Sequence, residues 1–320
     1  MLASAWSPEA RAPAGGFPKH LLAIEGLARA DAEAILALGE RFLAGGPMPP
    51  TLRGRAVLTA FFEASTRTRT SFEMAARGLG GQVLSLTPAV SSVTKGETLL
   101  DSVRTLEAMG ADVVVVRHAS SGAAEFLARK VRASVVNAGD GAHEHPTQAL
   151  LDALTVRRRL GRLEGLTVAI CGDVLHSRVA RSGARLFALL GARVRFCGPP
   201  TLLPPAAAEA FGVEVFERLD AAVAGADVVM GLRVQRERLA GAFLPSLEDY
   251  ARGWRLDRER LARLAPRALV LHPGPMNRGV EIEGALADAP ESAVLEQVRA
   301  GVAVRAAVLH LLGAAGAPPS

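Results

Sequence analysis

The chain has 320 residues, a length that predicts two domains, and its hydrophobic content of 49% is enough for two packed cores rather than a disordered chain. The formal net charge of +5 comes from 37 Lys and Arg residues against 32 Asp and Glu residues spread along the chain. Aromatic residues make up only 4%, so a basic stripe with stacking platforms, as in a nucleic-acid-binding protein, is not expected. The sequence has no run of about 18 uncharged apolar residues and no apolar signal core near its N-terminus, which argues against a membrane protein.

The cysteine content indicates the redox compartment. Cys171 and Cys197 are isolated, without a CxxC pattern, and both fall in strand-like runs. Such residues are typical of buried thiols in a reducing environment, so the expected location is cytoplasmic.

Apolar or β-branched runs alternate with helical patterns in the first part of the chain. The predicted strands are Arg55–Phe62, Gln82–Leu86, Asp112–Arg117 and Ser134–Asn137. The predicted helices between them are Thr68–Leu79, Glu97–Met109 and Gly122–Lys130. This alternation is typical of parallel βαβ units.

A second βαβ series follows a long helix that starts at Pro146, a residue well suited to the first helical position, and runs through Leu160. Its predicted strands are Thr167–Cys171, Arg193–Cys197, Val213–Phe216, Asp227–Leu232 and Ala268–Leu271. An amphipathic helix over about Glu291–Leu312 precedes a Gly/Pro/Ala tail.

The predicted fold is therefore α/β, with two doubly wound parallel-sheet domains joined by helices and a ligand site in the cleft between them. The first domain is expected at residues 1–146 and the second at 147–290. The C-terminal helix, within 291–320, is expected to pack back on the first domain.

The segment Ser65-Thr66-Arg67-Thr68-Arg69 predicts an anion site, because two guanidinium groups and three hydroxyls directly follow an apolar strand. Phe72, Ala75, Ala76 and Leu79 then recur at helical spacing, so a helix begins near Thr66 with Ser65 or Thr66 as its cap. Free backbone N–H groups and the positive end of the helix dipole meet there. The alternative is an ordinary helix cap with solvated arginines.

Polar segments follow the other predicted strands as well. They are Ser91–Gly96, Arg117-His118, His143–Gln148, Gly172-Asp173 with Ser177-Arg178, Arg233–Gln235 and His272–Pro275. Ligands of open α/β sheets bind beyond the carboxyl ends of strands, and several arginines converge there without matching acids. A substrate with several negative charges is expected, such as a phosphate plus carboxylates.

Two of the strand-end segments resemble the signature motifs of the transcarbamoylase family, in the same order along the chain. They are Ser65–Arg69 and His145-Pro146-Thr147-Gln148. Further segments resemble the aspartate branch of that family: Lys95–Thr98, Arg117-His118, Gly172-Asp173 with Arg178, Arg233–Arg238 and His272–Pro275. The resemblance covers essentially the whole chain. It implies transfer of a carbamoyl group from carbamoyl phosphate to the amine of L-aspartate, giving N-carbamoyl-L-aspartate and phosphate in pyrimidine biosynthesis, without a cofactor or a metal.

The resemblance also implies residue roles. The catalytic residues would be Arg67, Thr68, Arg117 and His145. The carbamoyl-phosphate-binding residues would be Ser65, Thr66, Arg67, Thr68, Ser91, Arg117, His145, Gln148, Gly274 and Pro275. Within this set, Gln148 and the backbone carbonyls of Pro273 and Gly274 would bind the carbamoyl NH2 group, and Ser92 is an alternative to Ser91.

The aspartate-binding residues implied are Lys95, Arg178, Arg233 and Gln235, the two arginines clamping the two carboxylates. Lys95 would reach the site of a neighbouring subunit, so the resemblance implies a homotrimer with shared active sites. The sequence leaves open whether trimers associate further with regulatory chains or other pathway enzymes.

Four alternative functions fit the sequence less well. The ornithine branch typically carries a Ser-Met-Gly motif and a His-Cys-Leu-Pro segment, where this chain has Arg233-Val234-Gln235 and His272–Pro275. A catalytically dead paralogue that binds carbamoyl phosphate would lack key positions, and none is lost. His143 and His145 flank Glu144 and suggest zinc only weakly, since no third His or Cys is near. Gly172-Asp173 lacks the GxGxxG pattern of a dinucleotide site.

Overall fold

The computed structural model describes residues 16–86, 96–235 and 246–315. The chain divides into two compact units, Met1–Ala138 with Ala300–Ser320, and Gly139–Arg299. Whereas the sequence predicts a domain boundary after residue 146, the first division lies between Ala138 and Gly139. It lies beside Gly139 and Gly141, which have φ angles of 116° and 48°, a region that glycine adopts readily. The C-terminal residues from Ala300 onward cluster with the first unit.

The described elements follow the predicted alternation closely. In the first part of the chain they are α1 (Arg29–Leu43), β1 (Ala56–Phe61), α2 (Thr66–Gly78), β2 (Gln82–Leu86), α3 (Leu99–Ala108), β3 (Ala111–His118), α4 (Ala123–Ala128) and β4 (Ser134–Asp140). Helix α1 was not predicted. Its N-cap is Ala28, which provides no side-chain hydrogen bond, so the usual Ser, Thr, Asp or Asn signal of a helix start is missing.

The second part of the chain continues the same pattern. Its elements are α5 (Pro146–Leu160), β5 (Thr167–Cys171), α6 (Arg178–Leu189), β6 (Arg193–Cys197), α7 (Ala207–Phe211), β7 (Glu214–Phe216), α8 (Leu219–Val223), β8 (Val228–Gly231), α9 (Leu247–Trp254), α10 (Arg258–Leu264), β9 (Leu269–Leu271), α11 (Gly284–Ala287) and α12 (Val294–Ala315). Each of the nine predicted strands is confirmed, with ends that differ by at most three residues.

The first sheet has the strand order β2-β1-β3-β4, and β1 pairs in parallel with both β2 and β3. The chain passes from β1 to one neighbour and then returns to the other side of β1. The carboxyl ends of β1 and β3 thus flank the point where the strand order reverses, the place where open α/β sheets bind ligands.

The second sheet has the order β7-β6-β5-β8-β9, and all four strand pairs are parallel. Here the order reverses between β5 and β8, where Cys171 is in register with Gly231. The fold class is confirmed as α/β with two parallel sheets, and each unit has its own reversal point.

Helix α2 is held in the first unit by its apolar face. Phe72, Ala75, Ala76 and Leu79 are fully buried, as their spacing predicted, and burying one side chain the size of Phe72 stabilises by about 1.5–3 kcal/mol. Buried Arg305 of α12 adds a hydrogen bond from Nη1 to Ser71 Oγ at 2.7 Å, and its guanidinium lies 5.2 Å from the centre of the Phe72 ring. The position of the N-terminus of α2 is therefore fixed by packing along its length.

The second unit has its own core between its sheet and helices α8 and α10. Ala169 of β5, Val229 of β8 and Leu261 of α10 are among its buried residues. Cys171 and Cys197 are free and buried, and they are cross-strand partners in β5 and β6. Among the described residues, no helix is both long enough and apolar enough to cross a membrane.

Candidate active site

The sequence predicts that the N-terminus of α2 is the anion-binding element of the first unit. Ser65 is the N-cap residue, its side chain makes no capping hydrogen bond, and no acidic residue occupies the first turn. The first N–H groups of any helix lack intrahelical partners and carry the positive end of the dipole. Thr68, in that turn, is buried. The arrangement supports the predicted helix start and can bind a phosphate or carboxylate.

The two arginines of this turn differ in their surroundings. Arg69 Nε lies 3.7 Å from Glu73 Oε1, one helical turn along. Arg67 is exposed over much of its surface, yet desolvation of its guanidinium lowers its pKa from the ordinary value. The ordinary pKa of an arginine is so far above neutral that Arg67 stays charged at pH 7. Arg67 is thus the better candidate for an anion ligand.

Arg117 lies near the carboxyl end of β3, in register with Phe61 of β1. Its Nε is 3.5 Å from Glu63 Oε2, and its Nη1 donates to Ala138 O at 3.2 Å. The expectation that the site arginines have no matching acids is therefore wrong for Arg117, as it is for Arg69. The sequence could not reveal the Glu63 contact, because it forms only when the end of β1 is placed beside β3.

His145 is the N-cap residue of α5, in the second unit. The ring is buried, and the backbone N–H donates to Ser182 Oγ at 2.7 Å. Fully buried Glu144 accepts a short hydrogen bond from Ser182 Oγ and lies 3.8 Å from Arg185 Nη1. These bonds hold the backbone of His145 and the side chain of Glu144 in place.

The neighbouring His143 takes a different partner. Its Nδ1 lies 3.1 Å from Asp140 Oδ2, while Glu144 faces Ser182 and Arg185. Within residues 16–86, 96–235 and 246–315, no group of three or more His, Cys, Asp or Glu side chains is placed to hold a metal ion.

The two arginines predicted to bind aspartate, Arg178 and Arg233, follow strands β5 and β8. Arg178 is the first residue of α6, after the N-cap Ser177, and its Nη1 donates to Gly141 O at 3.1 Å. Arg233 and Gln235 follow β8, and Gln235 Nε2 donates to His176 O at 3.0 Å. The predicted aspartate ligands Arg178, Arg233 and Gln235 therefore lie after the two strands that flank the reversal point of this sheet.

Gly172 has a structural reason to be glycine. Its φ is +133°, and a Cβ there would lie 2.8 Å from Leu232 O. The ends of β5 and β8 approach so closely that only a residue without a side chain fits. The interpretation that Gly172-Asp173 is not a dinucleotide fingerprint is consistent with this role.

The His272–Pro275 loop follows β9. Gly274 N donates to His272 Nδ1 at 2.8 Å, and His272 Nε2 faces Glu281 Oε1 at 3.2 Å. A ring nitrogen that accepts from a backbone N–H carries no proton, so the neutral ring has its hydrogen on Nε2 and donates it to Glu281. Gly274 has a φ of 61°, which suits glycine.

Two residues that sequence reasoning missed connect this loop to the Arg233 segment. Asn277 Nδ2 donates to Val234 O at 3.2 Å and to Glu281 Oε2 at 3.1 Å. Glu281 is almost completely buried. The one available signal was its place between Val280 and Ile282, since a lone acid between β-branched apolar residues favours a buried, paired carboxylate.

Some of the remaining predicted ligands lie in the described structure and others do not. Gln148 lies in the first turn of α5, nearly buried, with Nε2 donating to Asp152 Oδ1 at 2.9 Å. Pro275 follows Gly274 in the His272 loop. Ser91, its alternative Ser92, and Lys95 lie outside the described residues.

Comparisons with known proteins agree with this geometry. Residues 19–158 match the family model described as "Aspartate/ornithine carbamoyltransferase, carbamoyl-P binding domain", and residues 164–312 match the one described as "Aspartate/ornithine carbamoyltransferase, Asp/Orn binding domain". The aspartate carbamoyltransferase catalytic subunit of Sorangium cellulosum is 57% identical over 300 residues, covering 92% of this chain and 93% of that protein. The corresponding subunit of Gluconobacter oxydans is 58% identical over 305 residues, covering 94% and 97%.

Solved structures of aspartate transcarbamoylase from Trypanosoma cruzi are also similar. The complex with carbamoyl phosphate and aspartate has a TM-score of 0.84 at 32% identity, covering 94% of this chain and 98% of that one. The complex with N-(phosphonacetyl)-L-aspartic acid has a TM-score of 0.85 at 33% identity, covering 95% and 99%. From the two family matches and these relatives, we conclude that the chain belongs to the aspartate/ornithine carbamoyltransferase family.

Proposed function

We propose that this chain is an aspartate carbamoyltransferase, which transfers the carbamoyl group of carbamoyl phosphate to the amine of L-aspartate and releases N-carbamoyl-L-aspartate and phosphate. The observation that carries the proposal is the placement of Arg178 and Arg233 with Gln235 after the two strands at the reversal point of the second sheet. Two guanidinium groups suit a dicarboxylate and repel the cationic side chain of ornithine. The names of the relatives agree with that choice.

Phosphate binding is assigned to the first unit. Ser65, Thr66, Arg67 and Thr68 surround the N-terminus of α2, where backbone N–H groups and hydroxyls can donate to phosphate oxygens. Arg67 adds a bidentate fork that carries a full positive charge. Ser91 is assigned to the same phosphate by resemblance.

Activation of the carbamoyl group is assigned to Thr68, Arg117 and His145 as donors to its carbonyl oxygen. As the aspartate amine attacks the carbonyl carbon, negative charge grows on that oxygen, so fixed donors stabilise the transition state more than the ground state. The contacts of Arg117 with Glu63 and Ala138 hold its guanidinium before substrate binds. On the NH2 side, Gln148 and the Pro273–Pro275 loop provide acceptors.

The reaction then needs no covalent enzyme intermediate. The amine nitrogen forms the C–N bond to the carbonyl carbon, the resulting tetrahedral intermediate collapses as the C–O bond to phosphate breaks, and the departing phosphate takes the proton that the amine gives up. Alignment of two bound substrates removes most of the entropic cost of a bimolecular step, which is worth up to about 7–11 kcal/mol in well-oriented systems. No metal is assigned a role in this scheme.

The assembly and setting proposed are those implied by the resemblance. Lys95 completes the aspartate site of a neighbouring subunit, and the minimal enzyme is a homotrimer in the cytoplasm that acts in pyrimidine biosynthesis. The curated relatives are named catalytic subunits, which supports a search for regulatory partner chains.

The decisive experiment measures carbamoyl transfer by the purified chain from carbamoyl phosphate to aspartate and, separately, to ornithine. We expect N-carbamoyl-aspartate as the product, with little citrulline formed from ornithine. Equal use of ornithine, or transfer to neither amine, would refute the proposed function.

A further inference from the structure

A buried hydrogen-bond chain in the second unit connects Gln148 to the His272 loop. Gln148 Nε2 donates to Asp152 Oδ1 at 2.9 Å, Gln297 Nε2 donates to the same oxygen at 2.7 Å, and His272 N donates to Gln297 Oε1 at 3.0 Å. These four residues, which we call the amide relay, are each at most 8% exposed. Gln148 and Asp152 belong to α5, Gln297 to α12, and His272 follows β9.

The direction of every bond in the amide relay follows from one backbone group. The N–H of His272 can only donate, so the atom of Gln297 that receives it is the amide oxygen. The nitrogen of Gln297 therefore faces Asp152, whose Oδ1 acts as an acceptor. Because that oxygen accepts from Gln148 as well, the Gln148 nitrogen faces Asp152 and the Gln148 oxygen lies on the other side of the amide. An amide orientation that is otherwise ambiguous is thus determined.

The same relay holds the backbone of the loop. His272 is fixed through its N–H by Gln297 and through its Nε2 by Glu281, and its Nδ1 accepts from Gly274 N at 2.8 Å. The Gln148 oxygen and the carbonyls of the Pro273–Pro275 loop are all acceptors. A ligand group that meets them must therefore carry hydrogen-bond donors, such as the N–H groups of an amide.

We propose that Asp152 and Gln297 are positioning residues that make this enzyme select a transferred group bearing an NH2, by holding the Gln148 amide oxygen and the His272 loop as acceptors. The inference rests on the proposed function, in which Gln148 and this loop face the carbamoyl NH2. Acetyl phosphate has a methyl group in place of that NH2. It leaves the buried Gln148 oxygen unpaired, which is the situation in which polar recognition discriminates most strongly.

The test measures dissociation constants by calorimetry for carbamoyl phosphate, acetyl phosphate and inorganic phosphate. We expect the wild type to prefer carbamoyl phosphate over acetyl phosphate by about 5- to 150-fold, the range that one unpaired buried acceptor produces. Asp152→Leu, which removes the shared acceptor, should reduce this preference about tenfold and leave phosphate affinity within about twofold of the wild type. Asp152→Asn keeps one oxygen that can accept both amides, so it should retain most of the preference.

Gln297→Met provides an independent route, because it has a similar volume but neither amide atom. It should also reduce the preference, and it carries the test if Asp152→Leu does not fold. A wild type that carbamoylates aspartate, combined with variants that keep the wild-type preference, would overturn this inference alone. A parallel loss of phosphate affinity with an unchanged preference would show a merely structural role and overturn it too. If the wild type carbamoylates no aspartate, the proposed function fails first and the inference falls with it.

Discussion

The proposed choice of aspartate as second substrate depends on two residues, Arg178 and Arg233. Arg178 is held by its bond to Gly141 O, and the chain before Arg233 is fixed where Leu232 N donates to Cys171 O at 2.7 Å. Gln235, two residues further, is tied to His176 O. The side chain of Arg178 and the backbone beside Arg233 are therefore held in place, which lowers the entropy lost when the two arginines bind a carboxylate.

Replacing Arg233 should damage aspartate use selectively. In Arg233→Ala we expect kcat/KM for aspartate to fall thirtyfold to several-thousandfold, since truncating one partner of a desolvated charge pair costs about 2–5 kcal/mol. Carbamoyl phosphate binding should stay nearly intact. Steady-state kinetics with both substrates measure this. Arg252→Ala is a matched control, because Arg252 is 77% exposed on α9 and pairs with Asp249 within the same helix. An Arg233→Ala enzyme with unchanged aspartate kinetics would remove Arg233 from the site.

The donors to the reacting group should affect turnover. His145→Ala is expected to lower kcat by about 100–1000-fold, the effect of losing one oxyanion donor. Arg67→Ala should lower it more, because it removes the bidentate fork to the phosphate. Single-turnover rates at saturating substrate would show this. Arg69→Ala, whose side chain already pairs with Glu73, should have a much smaller effect. Wild-type rates should be unaffected by a chelator. Unchanged turnover in a variant would contradict the role assigned to that residue.

Among the secondary-structure elements, edge strand β4 depends on a segment near the N-terminus. Leu21 N donates to Val135 O, and Asn137 N donates back to Leu21 O, both at 2.9 Å. Val135 N donates to His20 Nδ1 at 3.0 Å. The segment covers the open edge of the first sheet, which would otherwise present unpaired backbone groups.

This contact predicts a dependence of stability on pH. Burial, with a contribution from Lys19, lowers the pKa of His20 below its ordinary value of 6.5. Because the unfolded chain then binds the proton more readily, the contribution of His20 to stability is complete above pH 6.5 and falls as the pH drops below it.

Denaturant unfolding at pH 7.5 and 5.5 should show this loss of stability. It should be smaller in His20→Gln, whose amide oxygen can still accept from Val135 N. Buried His310, with its pKa also lowered, should account for part of the remainder. An equal loss in both proteins would exclude His20 as a contributor.

For the whole molecule, the remaining question is how many chains make one site. Lys95 is one of three lysines in the sequence and is followed by Gly96, which has a φ of 93°. By family resemblance it acts in the neighbouring subunit. The homotrimer and its shared sites are therefore part of the proposed function, and a monomer is expected to be inactive.

Subunit mixing tests this directly. Lys95→Ala and Arg178→Ala subunits should each be inactive when assembled alone. After dissociation and reassociation together, hybrid trimers contain interfaces where both residues are wild type, so activity should return. Mixing each variant only with itself is the control. Hybrids that assemble but remain inactive would show that Lys95 acts within its own chain.

The sequence alone determined the alternating elements, since apolar runs and helical spacing reflect which faces must be buried. It also located the N-terminus of α2 and of α5, because capping residues and Pro146 act locally. It predicted the candidate site as a set of polar motifs at strand ends, because each motif directly follows its own apolar strand in the sequence. Helix α1, which has no capping signal, was missed.

Tertiary structure alone decided which partners those motif residues have. Glu63 reaches Arg117 because β1 and β3 are neighbours, and Asn277 reaches the chain beside Arg233 because the loop after β9 folds back toward β8. The amide relay joins residues 145 positions apart in sequence, Asp152 and Gln297. Local propensity carries no information about such contacts, because they form between elements whose separation is fixed only when both are packed into one core.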